Sequence, residues 1–187
     1  IEFNSGSLPA GSWPAKYAIR TQPNIGRYTL VVEDCYFTGI WQANDGSNGS
    51  AIKLYNGTRA DSVIFRNCVF EGDRGIVANN SGEGFGWDNF EISNCSFINI
   101  PDEEAVLIEQ RGENIYDPLV MDHCSFYGVG GIDTEAIVTD SLFDVSLTNS
   151  IFGSTTADTL WHMWGDASAQ NTVDYINFFE SPQPLTD

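Results

Sequence analysis

The chain has 187 residues, 42% hydrophobic and 13% aromatic, a content that excludes a disordered polypeptide and suits one domain with a sizeable core. Eight Lys and Arg against 26 Asp and Glu give a formal charge of −18, which repels a phosphate backbone and excludes nucleic acid as a partner. No apolar run is long enough to span a bilayer, so membrane insertion is not expected.

The opening IEFNSGSLPAG has neither the basic nor the apolar region of a signal peptide and lacks Met, so the chain reads as a mature product or a piece of something longer. Residues 1–14 read as an N-terminal cap or extension. The first apolar run is YAI, from Tyr17, followed by LVVEDCYFTG around Cys35. After the loop WQANDGSNGS come AIKL from Ala51 and VIFRNCVFEG around Cys68. GIVA from Gly75 leads through NNSGEGFGWDN to FEISNCSFINI around Cys95. AVLI from Ala105 precedes LVMDHCSFYG around Cys124, and EAIV from Glu135 precedes VSLTNSIFGS around Ser150. TLWHM from Thr159 precedes VDYINFFE, and residues 181–187 read as a C-terminal tail.

These runs are copies of one unit. Aligned on Cys35, Cys68, Cys95, Cys124 and Ser150, they recur at intervals of 33, 27, 29 and 26 residues. Five places before the anchor stand Leu30, Val63, Phe90, Leu119 and Val145; three before it stand Val32, Phe65, Ile92, Met121 and Leu147. Directly before it come Asp34, Asn67, Asn94, His123 and Asn149, mostly side chains that tolerate a left-handed backbone and so turn a corner. Two places after it lie Phe37, Phe70, Phe97, Phe126 and Phe152. A sixth copy is placed with Val173, Tyr175 and Asn177 in these columns and its Phe slipped one place, to Phe179.

Period-two alternation, a sharp bend and further alternation describe short strands meeting at an angle, with no convincing helix. One unit cannot bury its own apolar face, whereas copies stacked about 4.8 Å apart pair in parallel and close a common core. A β-sandwich does not require matching residues at such intervals, and a propeller blade is longer. The expected fold is all-β: a parallel β-helix, or solenoid, of about six coils, forming a single domain over 1–187. The cysteines occupy an inward column that Ser150 also fills, so they are expected as buried free thiols rather than disulfides. Open end rungs offer strand edges for end-to-end association.

The columns of apolar residues, the corner Asn, the Cys or Ser and the Phe resemble the right-handed parallel β-helices of the pectate-lyase-like superfamily. In texture they look closest to bacterial alginate lyase and chondroitinase B-like proteins, over roughly Tyr17 to Glu180. The resemblance implies a bacterial, secreted or cell-surface protein that handles polysaccharide, with further domains of a longer chain as its neighbours. In lyases of the chondroitinase B type, a Lys base and an Arg act beside a Ca²⁺ that neutralises the uronate carboxylate. Abstracting a proton next to a carboxylate builds enolate-like charge, which demands a cation on the acid and a base near the proton.

The matching patch is sought on the outward side of the first strand of each rung. With Ile52 and Leu54 inward, Lys53 and Tyr55 point out as candidate bases, Asn79 and Glu109 follow on the next rungs, and Arg111 lies just beyond as the neutralising partner. Trp41, Trp87 and Trp161 are candidate platforms for sugar rings. Glu104, Glu135 and Asp158, each two residues before the main apolar position of a first strand (Val106, Ile137 and Leu160), would repel one another unless a cation such as Ca²⁺ lay between them. His123 reads as a turn residue. Two functions follow: a non-catalytic polysaccharide-binding module, or a lyase cleaving a uronate-containing polysaccharide by β-elimination.

Overall fold

In each repeat the alternation breaks at one residue, and there the backbone turns left-handed: φ is 54° at Asp34, 54° at Asn67, 51° at Asn94, 53° at His123 and 49° at Asn149. A Cβ normally disfavours that region, and short Asn and Asp side chains pay the smallest penalty for entering it. The next side chain folds inward and ties back to the strand before the corner. Cys35 Sγ donates to Glu33 O (3.1 Å), Cys68 Sγ to Arg66 O (3.2 Å) and Ser150 Oγ to Thr148 O (2.8 Å). Corner ladders add to this, as where Asn67 Nδ2 donates to Asp34 Oδ1 at 3.1 Å.

The computed structural model describes residues 1–4, 17–21, 27–39, 49–54, 59–72, 74–78, 86–100, 104–108, 118–130, 135–140, 144–153, 159–164 and 171–179. The strands, in chain order, are β1 (Glu2–Asn4), β2 (Tyr17–Arg20), β3 (Arg27–Glu33), β4 (Tyr36–Thr38), β5 (Ser50–Lys53), β6 (Arg59–Arg66) and β7 (Val69–Glu71). There follow β8 (Ile76–Ala78), β9 (Gly86–Trp87), β10 (Phe90–Ser93), β11 (Ser96–Ile100), β12 (Val106–Ile108), β13 (Leu119–Asp122) and β14 (Ser125–Val129). The last are β15 (Glu135–Asp140), β16 (Val145–Thr148), β17 (Ile151–Gly153), β18 (Thr159–Trp164), β19 (Thr172–Asp174) and β20 (Asn177–Phe179).

They form three sheets. The first runs β2-β5-β8-β12-β15-β18, the second β3-β6-β10-β13-β16-β19 and the third β1-β4-β7-β11-β14-β17-β20. Every pairing between them is parallel, in the registers Leu30↔Val63↔Phe90↔Leu119↔Val145 and Phe37↔Phe70↔Phe97↔Phe126↔Phe152. The chain is therefore an all-parallel β-solenoid.

Two expectations need correction. The expected count of about six coils is corrected by the strand pairing: the third sheet holds seven described strands against six in each of the others, and β9 joins the second sheet only through β6. Three sheets define the architecture, and β1, within the segment read as a cap, extends the third of them. The last repeat was also placed two residues too far along. Leu147 pairs with Val173 and Phe152 with Phe178, so the corner is Tyr175, at φ 55°, and no Phe slips.

The core is a set of columns. Phe37, Phe70, Phe97, Phe126 and Phe152 are buried and stack with centroids 5.0, 5.0, 5.0 and 4.6 Å apart and planes within 10° of parallel. Cys35, Cys68, Cys95 and Cys124 are buried free thiols, as expected. Space beside the ladder is tight: a Cβ on Gly75 would lie 2.6 Å from Ala105 O and 3.0 Å from the Phe97 ring.

Candidate functional site

The first sheet positions the candidate site through its alternation. Ile52 and Leu54 are buried, so Lys53 between them faces out, half-buried, as the sequence implied. Its register neighbours are Arg20 on β2 and Val77 on β8; Leu107, Val138 and His162 continue the column. Arg20 lies 5.8 Å from the centroid of the Tyr17 ring, within cation–π range. Directly after β2, Thr21 N–H donates to Lys53 O at 3.0 Å and ties the end of β2 to the end of β5. Val77 and Leu107 form a buried apolar pair separate from the core. The outer face thus carries two neighbouring cations at one end, with the Tyr17 ring in reach of Arg20, and an apolar strip next to them.

Lys53 is the one described residue of the proposed catalytic patch. Tyr55, Asn79, Glu109, Arg111 and Trp41 lie outside the described residues. Directly beside Lys53 the column holds Val77 and Leu107, residues that accept no proton and bind no carboxylate. Trp87 is not on a surface loop. It is fully buried on β9, edge-on to Phe90 with centroids 5.3 Å apart, and offers no free face to a sugar. Trp161 is placed on β18, in register with Ile137.

The carboxylate column reads differently in the structure. Arg74 and Glu104, both mostly buried, form an ion pair at 2.7 Å, so Glu104 already has a cationic partner from the same protein. Ile137 pairs with Trp161, not Leu160, which sets Glu135 against Thr159; Asp158 lies outside the described residues. Among the described residues no three His, Cys, Asp or Glu side chains converge to hold a metal. Of the three carboxylates proposed to share Ca²⁺, Glu104 is thus already paired within the protein.

Sequence reasoning passed over Arg20; the signal was the end of YAIR, one place after the Ile19 that pairs with Ile52. It also passed over a hydrogen-bonded carboxylate on the second sheet. Asp122 accepts from Thr148 Oγ1 (2.6 Å) and Asn149 Nδ2 (2.8 Å) and faces His123 Nδ1 at 2.7 Å. Partial burial works against its ionisation, yet these donors together outweigh that and hold its pKa at about 2. Such a group is a fixed acceptor, not a base, and His123 is the corner residue expected. On the same face Arg66 forks onto Glu91 at 3.0 and 2.9 Å and reaches Glu33 at 3.3 Å, holding the Glu91 carboxyl below its ordinary range.

Charge is unevenly spread along the stack. Residues 1–74 hold seven of the eight Lys and Arg and seven of the 26 Asp and Glu, so they are formally balanced, and the whole excess of acid lies in residues 75–187. The cationic pair Arg20 and Lys53 stands in the balanced part.

No family model, no curated protein and no solved structure matches the chain, so its kinship rests on architecture alone: it is an all-parallel β-solenoid.

Proposed function

We propose that the chain is an extracellular polysaccharide-binding module that holds a carboxylate-bearing glycan on the outer face of the first sheet. The observation that carries this reading is the juxtaposition of Arg20, Lys53 and Tyr17 on adjacent rungs. A parallel sheet repeats its outward side chains about every 4.8 Å, a spacing that suits a regular polymer. Two cations side by side answer the carboxylates, and an aromatic ring offers the flat apolar surface that sugar rings stack on. The balanced charge of the N-terminal rungs lets a polyanion approach there in spite of the net −18.

Retention on a panel of insoluble glycans tests the proposal. Binding to carboxylated glycans that weakens with salt and is lost in Arg20→Ala and Lys53→Ala supports it. Equal retention of wild type and both variants, or of carboxylated and neutral glycans, refutes it.

A second reading draws on the same two residues: with Lys53, as the neutral amine, taking the proton and Arg20 on the carboxylate, the pair supplies the base and the cation that β-elimination of a uronate requires. Ultraviolet absorbance of the unsaturated product, growing with wild type and absent with Lys53→Ala, favours the lyase. A silent trace with retained binding favours the module.

A further inference from the structure

Along a parallel strand the N–H and C=O of one residue face one neighbouring strand, and those of the next residue face the other. Tyr36 N–H donates to Ile1 O at 2.8 Å, so Ile1 and Phe3 direct their backbone groups to β4, while Glu2 and Asn4 direct theirs away from it. Asn177 N–H donates to Ser150 O at 3.0 Å, so Phe178 directs its own away from β17. Among the described residues β1 and β20 are the two outermost strands of the third sheet, and each therefore presents backbone donors and acceptors at an edge.

The β20 end is also apolar and open. Val173 and Phe178 hold the registers of buried Leu147 and Phe152 yet are 42% and 45% exposed, beside Tyr175 at 73% and Phe179 at 61%. Charge decides which partner fits. Two β20 ends face to face would bring together the halves that carry 19 acidic residues against one Arg, whereas β20 against β1 sets that half on the end that holds the other seven cations. The head-to-tail arrangement also keeps the sheet parallel.

We propose that the β20 edge of one molecule docks on the β1 edge of a second copy, with Phe178 in register with Phe3. Phe178 N–H then donates to the Glu2 carbonyl of the next copy, and the Asn4 N–H of that copy donates to the Phe178 carbonyl. The contact is heterologous and does not close, so it builds open chains of molecules rather than dimers.

Sedimentation of the wild-type chain over a wide concentration range tests this, together with two edge variants. Phe178→Pro removes the outward donor and the ring of β20; Asn4→Pro removes the outward donor of β1. Neither touches a bond to β17 or β4, which circular dichroism checks through the sheet signal. Phe178→Asp, with the same expected outcome, serves as a second variant that keeps the backbone donor. The weight-average mass of wild type is expected to rise with concentration past twice the monomer. Each variant alone stays monomeric, and an equimolar mixture of Phe178→Pro and Asn4→Pro stops at the dimer because one intact edge of each kind remains. A wild type that stays monomeric or saturates at a dimer overturns the proposal, as does either variant polymerising alone.

Discussion

Replacing Phe97 by Ala probes the column at its centre. The ring is fully buried, lies 5.0 Å from Phe70 and from Phe126 at angles of 10° and 5°, and touches the backbone position of Gly75. Emptying a buried Phe site costs about 3–5 kcal/mol, and each aromatic pair adds roughly 0.5–1.5 kcal/mol beyond area. The neighbours cannot collapse into the space, because Phe70 and Phe126 are themselves held by strand pairing and by Phe37 and Phe152. The expected loss is therefore at the upper end, about 4–5 kcal/mol, a large share of the roughly 5–15 kcal/mol that a folded domain has. Phe178→Ala is the control: among the described residues its ring neighbour is Phe152 at 6.1 Å, and it is half exposed, so its loss is expected near 1 kcal/mol. Urea unfolding followed by circular dichroism reads both. A lower slope in Phe97→Ala would show the two halves of the stack unfolding separately, as nearest-neighbour solenoids do. Equal losses in the two variants, or a loss below about 1.5 kcal/mol at Phe97, would refute the ladder as a main source of stability.

At the corner, Asn94 sits at φ 51°, so Asn94→Gly is expected to leave the urea midpoint nearly unchanged and Asn94→Ala to cost about 1–2 kcal/mol; equal midpoints for Gly and Ala would contradict the left-handed corner. The folded pKa of Asp122 lies below its ordinary value of 3.8, at about 2, so its contribution is fully present above pH 4 and is lost as pH falls from about 4 to 2. Wild type is therefore expected to lose more stability over that interval than Asp122→Asn, by a small margin because the carboxylate is partly solvated; parallel pH profiles would contradict it. Burial pushes the Cys124 thiol up to about 12, and a hydrogen bond to Cys68 together with burial raises that of Cys95. A thiol reagent at neutral pH is expected to titrate none of the four cysteines in the native chain and all four in urea, and rapid native labelling would refute the buried thiol column.

What the sequence made legible was the column, because packing positions in a stack are seen by the same neighbours on every rung and keep one chemical character. Leu30, Val63, Phe90, Leu119 and Val145 could be aligned by eye, and they pair as aligned. The last repeat misled because Asn177 mimics a corner residue and Phe178 and Phe179 are adjacent, while the true corner is Tyr175, a residue rarely found left-handed. At an open end the columns are under less pressure: the apolar place paired with Val145 is taken by Asn171, whose Oδ1 accepts from Val145 N–H at 3.0 Å. Trp87 misled for another reason. Its Gly-rich flanks look like loop, and only its register with Ala60 carries it inside. The outer face was legible at Lys53 alone, since alternation gives the side of the sheet but not which outward residues meet; that took the register that puts Arg20 beside it.

Every reading of a column rests on parallel, in-register pairing between successive rungs, and through-hydrogen-bond couplings in the NMR spectrum report that pairing amide by amide. Just past each inward corner side chain, couplings are expected from Val69 N–H to Cys35 C=O, from Ser96 to Cys68, from Ser125 to Cys95 and from Ile151 to Cys124, bonds that are each 2.9 Å long. Amides of these residues coupled instead to carbonyls in antiparallel order, or to rungs two apart, would contradict the solenoid and every site placed on it.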